Sequence, residues 1–323
     1  MTENKILLSV VIPAYNEAEG LETFNGELIK YVKEAVGGSY EIIYCNDGSS
    51  DNTAEIVSKW HKSDPRIRLV SLTRNFGKEY SLLSGISVAK GDALLMIDGD
   101  GQHPVELIPE FVKIWQKGAK VVVGVRKDNG NESTFKNLGS KSFYFIFNKL
   151  TSQHLVPSST DYRLIDKSVQ RAFLDMPETG RITRGMIDWL GFSTEHIYFD
   201  AKPRKYGSVG YSNRKLLGLA ANSFVSLTPR PLYIFGYLGI LITAASLVLG
   251  VAVLIEQIIL NDPLHWRFTG TAMLGILILC LVGIVLMSQG ILSLYVSNIN
   301  NQSKGRPLFV VDYEKSAGIE HKY

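Results

Sequence analysis

Two aspartates two positions apart, Asp98 and Asp100, close an apolar run, Leu94-Leu95-Met96-Ile97, and lead into Gly101-Gln102-His103-Pro104. In extended backbone residues i and i+2 point to the same side, so the two carboxylates can converge on one cation. Hard oxygen ligands in a small cluster suit Mg²⁺ or Mn²⁺, which in turn hold phosphates. Taken alone, Asp98-Gly99-Asp100 is more often a solvated turn than a metal site. Three more polar clusters each follow an apolar run and shift that balance. They are Pro13-Ala14-Tyr15-Asn16-Glu17, Asn46-Asp47-Gly48-Ser49-Ser50-Asp51-Asn52-Thr53 and Thr73-Arg74-Asn75-Phe76-Gly77-Lys78-Glu79.

The apolar runs are the elements that must position these clusters. Leu7 to Ile12, Glu41 to Cys45, Ile67 to Leu72, Leu94 to Ile97 and Lys120 to Val125 read as strands. Segments ending near Ala35 and Ala89, and Val105 to Lys117, read as helices. Strands alternating with helices imply parallel βαβ units in an α/β domain. All four clusters then lie at the carboxyl ends of strands, on the edge where open α/β sheets bind ligands. Together they point to a nucleotide and metal site.

The 323 residues are 46% hydrophobic, and the charge is unevenly spread. Leu232 to Ile255 and Phe268 to Val296 carry no charged residue. Each exceeds the roughly 20 apolar residues that a bilayer-spanning helix needs. Lys202, Arg204, Lys205, Arg214, Lys215 and Arg230 precede the first run, and Lys304 and Arg306 follow the second. The positive-inside rule then places both termini in the cytoplasm, and the expected location is the plasma membrane. The expected layout is a cytoplasmic domain over 1–212, an interfacial amphipathic helix over 213–230, and two transmembrane helices within 231–297. These helices cover about 232–255 and 268–296, and a cytoplasmic tail occupies 298–323. Asn131 to Leu150, basic and aromatic, reads as a membrane-surface helix or as an ordinary packed one. The tail, with Pro307-Leu308-Phe309-Val310-Val311, is either a short strand returning to the first domain or a flexible end. A net charge of +3 gives no case for nucleic acid. Cys45 and Cys280 read as buried thiols, without disulfide or zinc spacing. The apolar run from Ile6 to Ile12 is too short for a signal peptide.

The four clusters, in this order and spacing, resemble those of the inverting family 2 glycosyltransferases with a GT-A (Rossmann-like) fold. With the two C-terminal runs, nearly the whole chain is similar to polyprenyl-phosphate glycosyltransferases of the dolichyl-phosphate mannose synthase and bactoprenol glucosyltransferase type. The resemblance implies a nucleotide-sugar site formed by Pro13, Tyr15, Asn16, Glu17, Asp47, Lys78, Asp98 and Gly99. It implies Asp98, Asp100 and Gln102 as holders of Mg²⁺ or Mn²⁺ on the donor diphosphate. Arg126, Arg181 and Arg184 would meet the acceptor phosphate, with Asp100, Asp161 and Arg126 as the catalytic set. Asp161 would serve as a base or orient an Arg. The partners implied are a nucleotide-sugar donor, a polyprenyl-phosphate acceptor, the membrane and further copies of the chain. UDP-glucose is the first choice of donor, with N-acetylglucosamine, galactose and mannose donors open.

Three positions depart from the family pattern. Asn129 stands where a second basic residue is common, Gly207-Ser208-Val209-Gly210-Tyr211-Ser212 replaces a Gly-Glu-Ser-Lys-Tyr stretch, and Gly101 replaces an apolar residue. A polymer-extending synthase would want more membrane spans. A non-catalytic scaffold would be expected to lose the carboxylate pair, and a sugar-nucleotide sensor remains the other alternative.

Overall fold

The computed structural model describes residues 7–127, 159–178, 180–200, 248 and 270–320. One unit comprises Met1–Asn148, Gln153–Gly210 and Arg306–Tyr323, and a second comprises Lys149–Ser152 and Tyr211–Gly305. The expected membrane-surface segments, 131–150 and 216–227, and the first apolar run, apart from Val248, lie outside the described residues.

The first unit is built on a seven-stranded sheet. In chain order its elements are β1 (Leu8–Ala14), α1 (Ala18–Val36), β2 (Tyr40–Asn46), α2 (Thr53–Ser63), β3 (Ile67–Ser71), α3 (Lys78–Val88) and β4 (Ala93–Met96). Then follow α4 (Ile108–Gln116), β5 (Val121–Arg126), β6 (Ser159–Asp166), α5 (Lys167–Leu174), α6 (Thr183–Trp189) and β7 (Thr194–Phe199). The strand order is β3-β2-β1-β4-β6-β5-β7. All pairings are parallel except those of β6, which runs antiparallel to both β4 and β5. This is a GT-A-like α/β fold with a mixed, mostly parallel sheet.

Alternation along the strands sends side chains into two cores. Val10, Ile12, Leu95, Ile97, Tyr162 and Leu164 face the layer holding α1, α2 and α4. Val11, Leu94, Met96, Val121, Val123 and Ile165 face the layer holding α3, α5 and α6. Helix α1 shows why these segments are helical: Leu21, Phe24, Leu28 and Val32 recur on one face and are buried. Each such apolar side chain removed from water stabilises by roughly 1.5–3 kcal/mol. The helix stops at Gly37, whose φ of 63° is left-handed. Helix α3 lies close against β1 and β2 because Gly85 has no side chain; a Cβ there would collide with Cys45 Sγ and Val11. Cys45 is buried, as its apolar strand implied, and burial pushes its thiol up to about 12. The side chain of Cys280 is outside the described set.

The end of the chain rejoins this unit along the β3 edge. Leu69 and Ala317 exchange both backbone hydrogen bonds at 2.9 Å, Asp312 N donates to Ser71 O at 2.7 Å, and Thr73 N donates to Val310 O at 3.0 Å. Leu308, Phe309, Val311 and Ile319 pack on the α3 face. The exposed row of amides and carbonyls that an edge strand presents is thereby covered. At the opposite sheet end Glu41 is buried and accepts from Ser9 Oγ at 2.6 Å, Lys90 N at 2.6 Å and Arg68. Arg68 also donates to Gly318 O at 2.9 Å, tying the tail to this buried network.

In the second unit, α7 (Gly270–Ser303) is continuous as backbone over 34 residues without a charged side chain. Only part of its side chains is described, and over the described residues no helix is long and apolar enough to cross a membrane.

Candidate active site

The site gathers where four parallel strands end and one antiparallel strand begins. Beyond β1, Asn16 takes a left-handed φ of 55° and accepts a hydrogen bond from Ser50 N at 2.9 Å, while its own amide donates to Ser49 Oγ at 3.0 Å. Glu17 N donates to Thr53 Oγ1 at 3.1 Å, and Ala18 N donates to Asp51 at 3.1 Å. The first two clusters are therefore one cross-linked surface, bordered by half-buried Pro13 and exposed Tyr15. The turn after β2 packs on the loop after β3. Gly48, at φ 66°, would place a Cβ 2.5 Å from the Arg74 carbonyl carbon.

Asp47 joins these two loops. It is 3% exposed and accepts from Phe76 N at 2.7 Å and Gly77 N at 2.9 Å, one bond to each oxygen. Burial pushes its carboxyl up, against those two hydrogen bonds and the nearby charge of Arg74. Its evident work is to shape the loop that presents Lys78.

Lys78 opens α3 and points between two acids. Its Nζ lies 2.7 Å from Asp98 Oδ1 and 2.8 Å from Asp161 Oδ2. The register explains the meeting. Met96 faces Arg163 in the antiparallel β4–β6 pair, and two further steps bring Asp98 opposite Asp161. Because β6 runs backwards, its first residues share an edge with the carboxyl ends of its neighbours. Burial works against the Lys78 ammonium, but the two carboxylates outweigh it and hold its pKa above the usual lysine range. For Asp161, burial opposes ionisation and is overcome by Lys78, with Arg184 and Arg163 adding to it, so its carboxyl lies below the ordinary value.

Asp100 is 9% exposed and accepts from Gln102 N at 3.0 Å, which folds the turn after Gly99 back on itself. His103 packs among Tyr162 and Phe199, and burial lowers its pKa. Its Nδ1 is buried without a hydrogen-bond partner, 3.9 Å from Asp98 Oδ2. Among the described residues no three or more His, Cys, Asp or Glu side chains form a complete cage for a metal. That is compatible with Mg²⁺ or Mn²⁺, which bind through one or two carboxylates and complete their shells with water and phosphate oxygens. The site has the corresponding character: Asp98 already draws a cation, the Lys78 ammonium, and Asp100 stands two residues on. Gln102 is half-buried beside them.

The arginines divide. Arg126 is the exposed last residue of β5, and Arg184 is exposed on the first turn of α6, near enough to Asp161 to favour its ionised form. Arg181 is not brought to this group. It is 8% exposed and donates to the carbonyls of Glu178 at 3.1 Å, Phe173 at 3.3 Å and Met176. A guanidinium with three of its five N–H donors used on backbone, and itself buried, is poorly placed to receive a phosphate. Sequence reasoning gave no role to Glu79, Arg163 and Thr183. The signal for Arg163 was present, since it follows Asp161 by two positions on the same strand face.

Residues 9–173 match the family described as glycosyl transferase family 2. The chain belongs to glycosyl transferase family 2. An uncharacterised glycosyltransferase of Synechocystis sp. is 35% identical over 306 residues, covering 95% of each chain. The bactoprenol glucosyl transferase of Shigella phage SfV is 31% identical over 308 residues, covering 95% of this chain and 99% of its own. Among solved structures, mannosyl-3-phosphoglycerate synthase from Rubrobacter xylanophilus is 16% identical, with a TM-score of 0.47, and the match covers 82% of this chain and 78% of that one. The protein is a glycosyltransferase.

Proposed function

We propose that this glycosyltransferase moves glucose from UDP-glucose to a polyprenyl phosphate at the cytoplasmic face of the plasma membrane, with inversion at the anomeric carbon. The observation that carries the reading is the Asp98–Lys78–Asp161 cluster, with Asp100 and Arg184 beside it, at the mouth of the sheet. Full-length similarity to a bactoprenol glucosyl transferase supports the acceptor class. The uncharged stretches 232–255 and 268–296 support a pair of membrane helices that would keep the site at headgroup depth.

The acceptor phosphate suits this set of side chains. A phosphate monoester has its second pKa near 6, so it is already a nucleophile at neutral pH. A strong base is unnecessary, and a carboxylate held ionised, as Asp161 is, makes a weak one. Its role in this reading is to orient Lys78 and Arg184. The phosphate oxygen forms a bond to the anomeric carbon as the bond from that carbon to the diphosphate oxygen breaks, and the electron pair leaves with the nucleoside diphosphate. Arg184 and Arg126 offer planar guanidinium groups to the acceptor phosphate. Asp98, Asp100 and Gln102 would hold Mg²⁺ or Mn²⁺, whose chemistry here is to neutralise charge on the departing diphosphate. Lys78 keeps Asp98 and Asp161 aligned and adds positive charge on the same side.

The test is transfer of radiolabel from a panel of nucleotide sugars to undecaprenyl phosphate by the full chain in membranes, with the anomer of the product determined. A β-linked glucosyl lipid from UDP-glucose supports the reading. Label from a different donor would reassign the sugar, an α-linked product would overturn the direct displacement, and no lipid product from any donor would overturn the acceptor.

A further inference from the structure

We propose that Glu79 is a positioning residue which, together with Arg163, clamps α6 at both ends and so sets where Arg184 stands over the acceptor side of the site. The inference rests on the reading of Arg184 as a phosphate contact.

Helix α6 is only seven residues long, and its N-cap Ile182 offers no capping side chain. So short a helix does not hold its own orientation. Glu79, 104 positions away in the chain, supplies the missing cap: its Oε2 accepts from Thr183 N at 2.9 Å and from Thr183 Oγ1 at 2.6 Å. Thr183 is 2% exposed and Glu79 is half-buried, so this junction is partly shielded from water. Arg163, 1% exposed, reaches the other end by donating to Asp188 Oδ1 at 2.6 Å, and it also donates to the Arg184 carbonyl in the first turn at 3.3 Å. The same guanidinium holds the Thr160 carbonyl at 3.0 Å, next to Asp161. Arg184 is thus the exposed residue of a helix whose first turn and last turn are both tied to the strand and helix that carry Asp161 and Lys78.

The capping is done by an oxygen, not by a charge. Burial raises the Glu79 carboxyl, and Asp161 pushes in the same direction, against the Thr183 hydrogen bonds and the Lys78 charge. A neutral acceptor of the same shape would cap Thr183 equally. What the arrangement adds is connection. Adjacent residues on the first turn of α3 hold the two halves of the site: Lys78 holds the carboxylates and Glu79 holds the helix bearing Arg184.

The experiment compares Glu79→Ala, Glu79→Gln, Thr183→Val and Thr183→Ser in the full chain. Four readouts apply: kcat, KM for undecaprenyl phosphate, UDP affinity by calorimetry, and hydrogen exchange of the 183–189 amides. Glu79→Ala and Thr183→Val are expected to raise the acceptor KM about tenfold. UDP affinity stays within about twofold, and exchange in α6 speeds up. Glu79→Gln and Thr183→Ser keep the acceptor and donor oxygens and restore wild-type values. An unchanged acceptor KM in both disruptive variants, equal losses of acceptor and UDP binding, or failure of the conservative variants to restore function would overturn the proposal. Should the wild-type chain make no lipid product, the acceptor reading falls. The clamp is then judged by exchange alone, where protection of α6 unchanged by Glu79→Ala overturns it.

Discussion

Replacing Lys78 by Met keeps an apolar stem of similar length and deletes the ammonium between Asp98 and Asp161. The two contacts of 2.7 and 2.8 Å keep the facing carboxylate oxygens within about 5.5 Å of each other. Two unit charges at that separation repel by about 3 kcal/mol at an effective dielectric near 20. The acids are 23% exposed and Lys78 is 40% exposed, so solvent screening reduces the net effect to roughly 1–2 kcal/mol. For a domain of this size that corresponds to a melting temperature lower by about 3–6 °C at pH 7. The sign with pH follows from Asp161. Burial opposes its ionisation, Lys78 overcomes burial, and the folded carboxyl lies below its ordinary value. Its stabilising contribution is therefore complete above the unfolded value of about 3.9 and is lost as pH falls through the folded one. In Lys78→Met the penalty exists only while both acids are ionised, so it is largest at neutral pH and shrinks as either acid is protonated. Melting of the full chain in detergent, followed by tryptophan fluorescence at pH 7 and pH 4, reads this directly. A deficit of equal size at both pH values would show that Lys78 acts through packing and would refute the electrostatic account.

Three further outcomes are expected. Arg184→Ala raises the acceptor KM and leaves the melting temperature unchanged, whereas Arg181→Ala lowers the melting temperature, because it strips buried carbonyls of their donors; parallel kinetics and melts separate the two. Gly48→Ala forces a side chain into left-handed backbone against Arg74 at a cost on the order of 1–3 kcal/mol, and calorimetry should find weaker UDP binding with little change in acceptor KM. Glu41→Ala leaves Arg68 buried without its carboxylate and costs about 3–5 kcal/mol, read as a large drop in melting temperature.

The first half of the sheet was legible because parallel strands buried on both faces read as continuous apolar runs. Leu7 to Ile12 and Ile67 to Leu72 differ from the observed β1 and β3 only at their ends. Strand β6 was opaque for the opposite reason: Asp161, Arg163 and Asp166 break its apolar pattern, and nothing local reveals that it runs antiparallel between β4 and β5. The position of Asp161 facing Asp98 follows from that direction, so only family resemblance could single it out. Residue type also misleads where packing decides. Arg181 and Arg184 look alike at the start of a basic helix, yet one binds backbone carbonyls and the other is exposed. Asp47, read from its type as a contact for the nucleoside, also has a structural task that its type does not show, since each of its oxygens accepts an amide from the loop beside it. The tail could be read as a strand or a free end, and its pairing with β3 emerges only in three dimensions.

The most direct test of the account is metal-dependent transfer of labelled glucose from UDP-glucose to undecaprenyl phosphate, comparing the full chain with Asp98→Asn and Asp100→Ala in the same membranes. The account predicts a lipid-linked product that requires Mg²⁺ or Mn²⁺ and falls by about 10²–10³-fold in both variants while their melting temperatures hold. Wild-type product formation that ignores the metal, or that survives both substitutions, would contradict it.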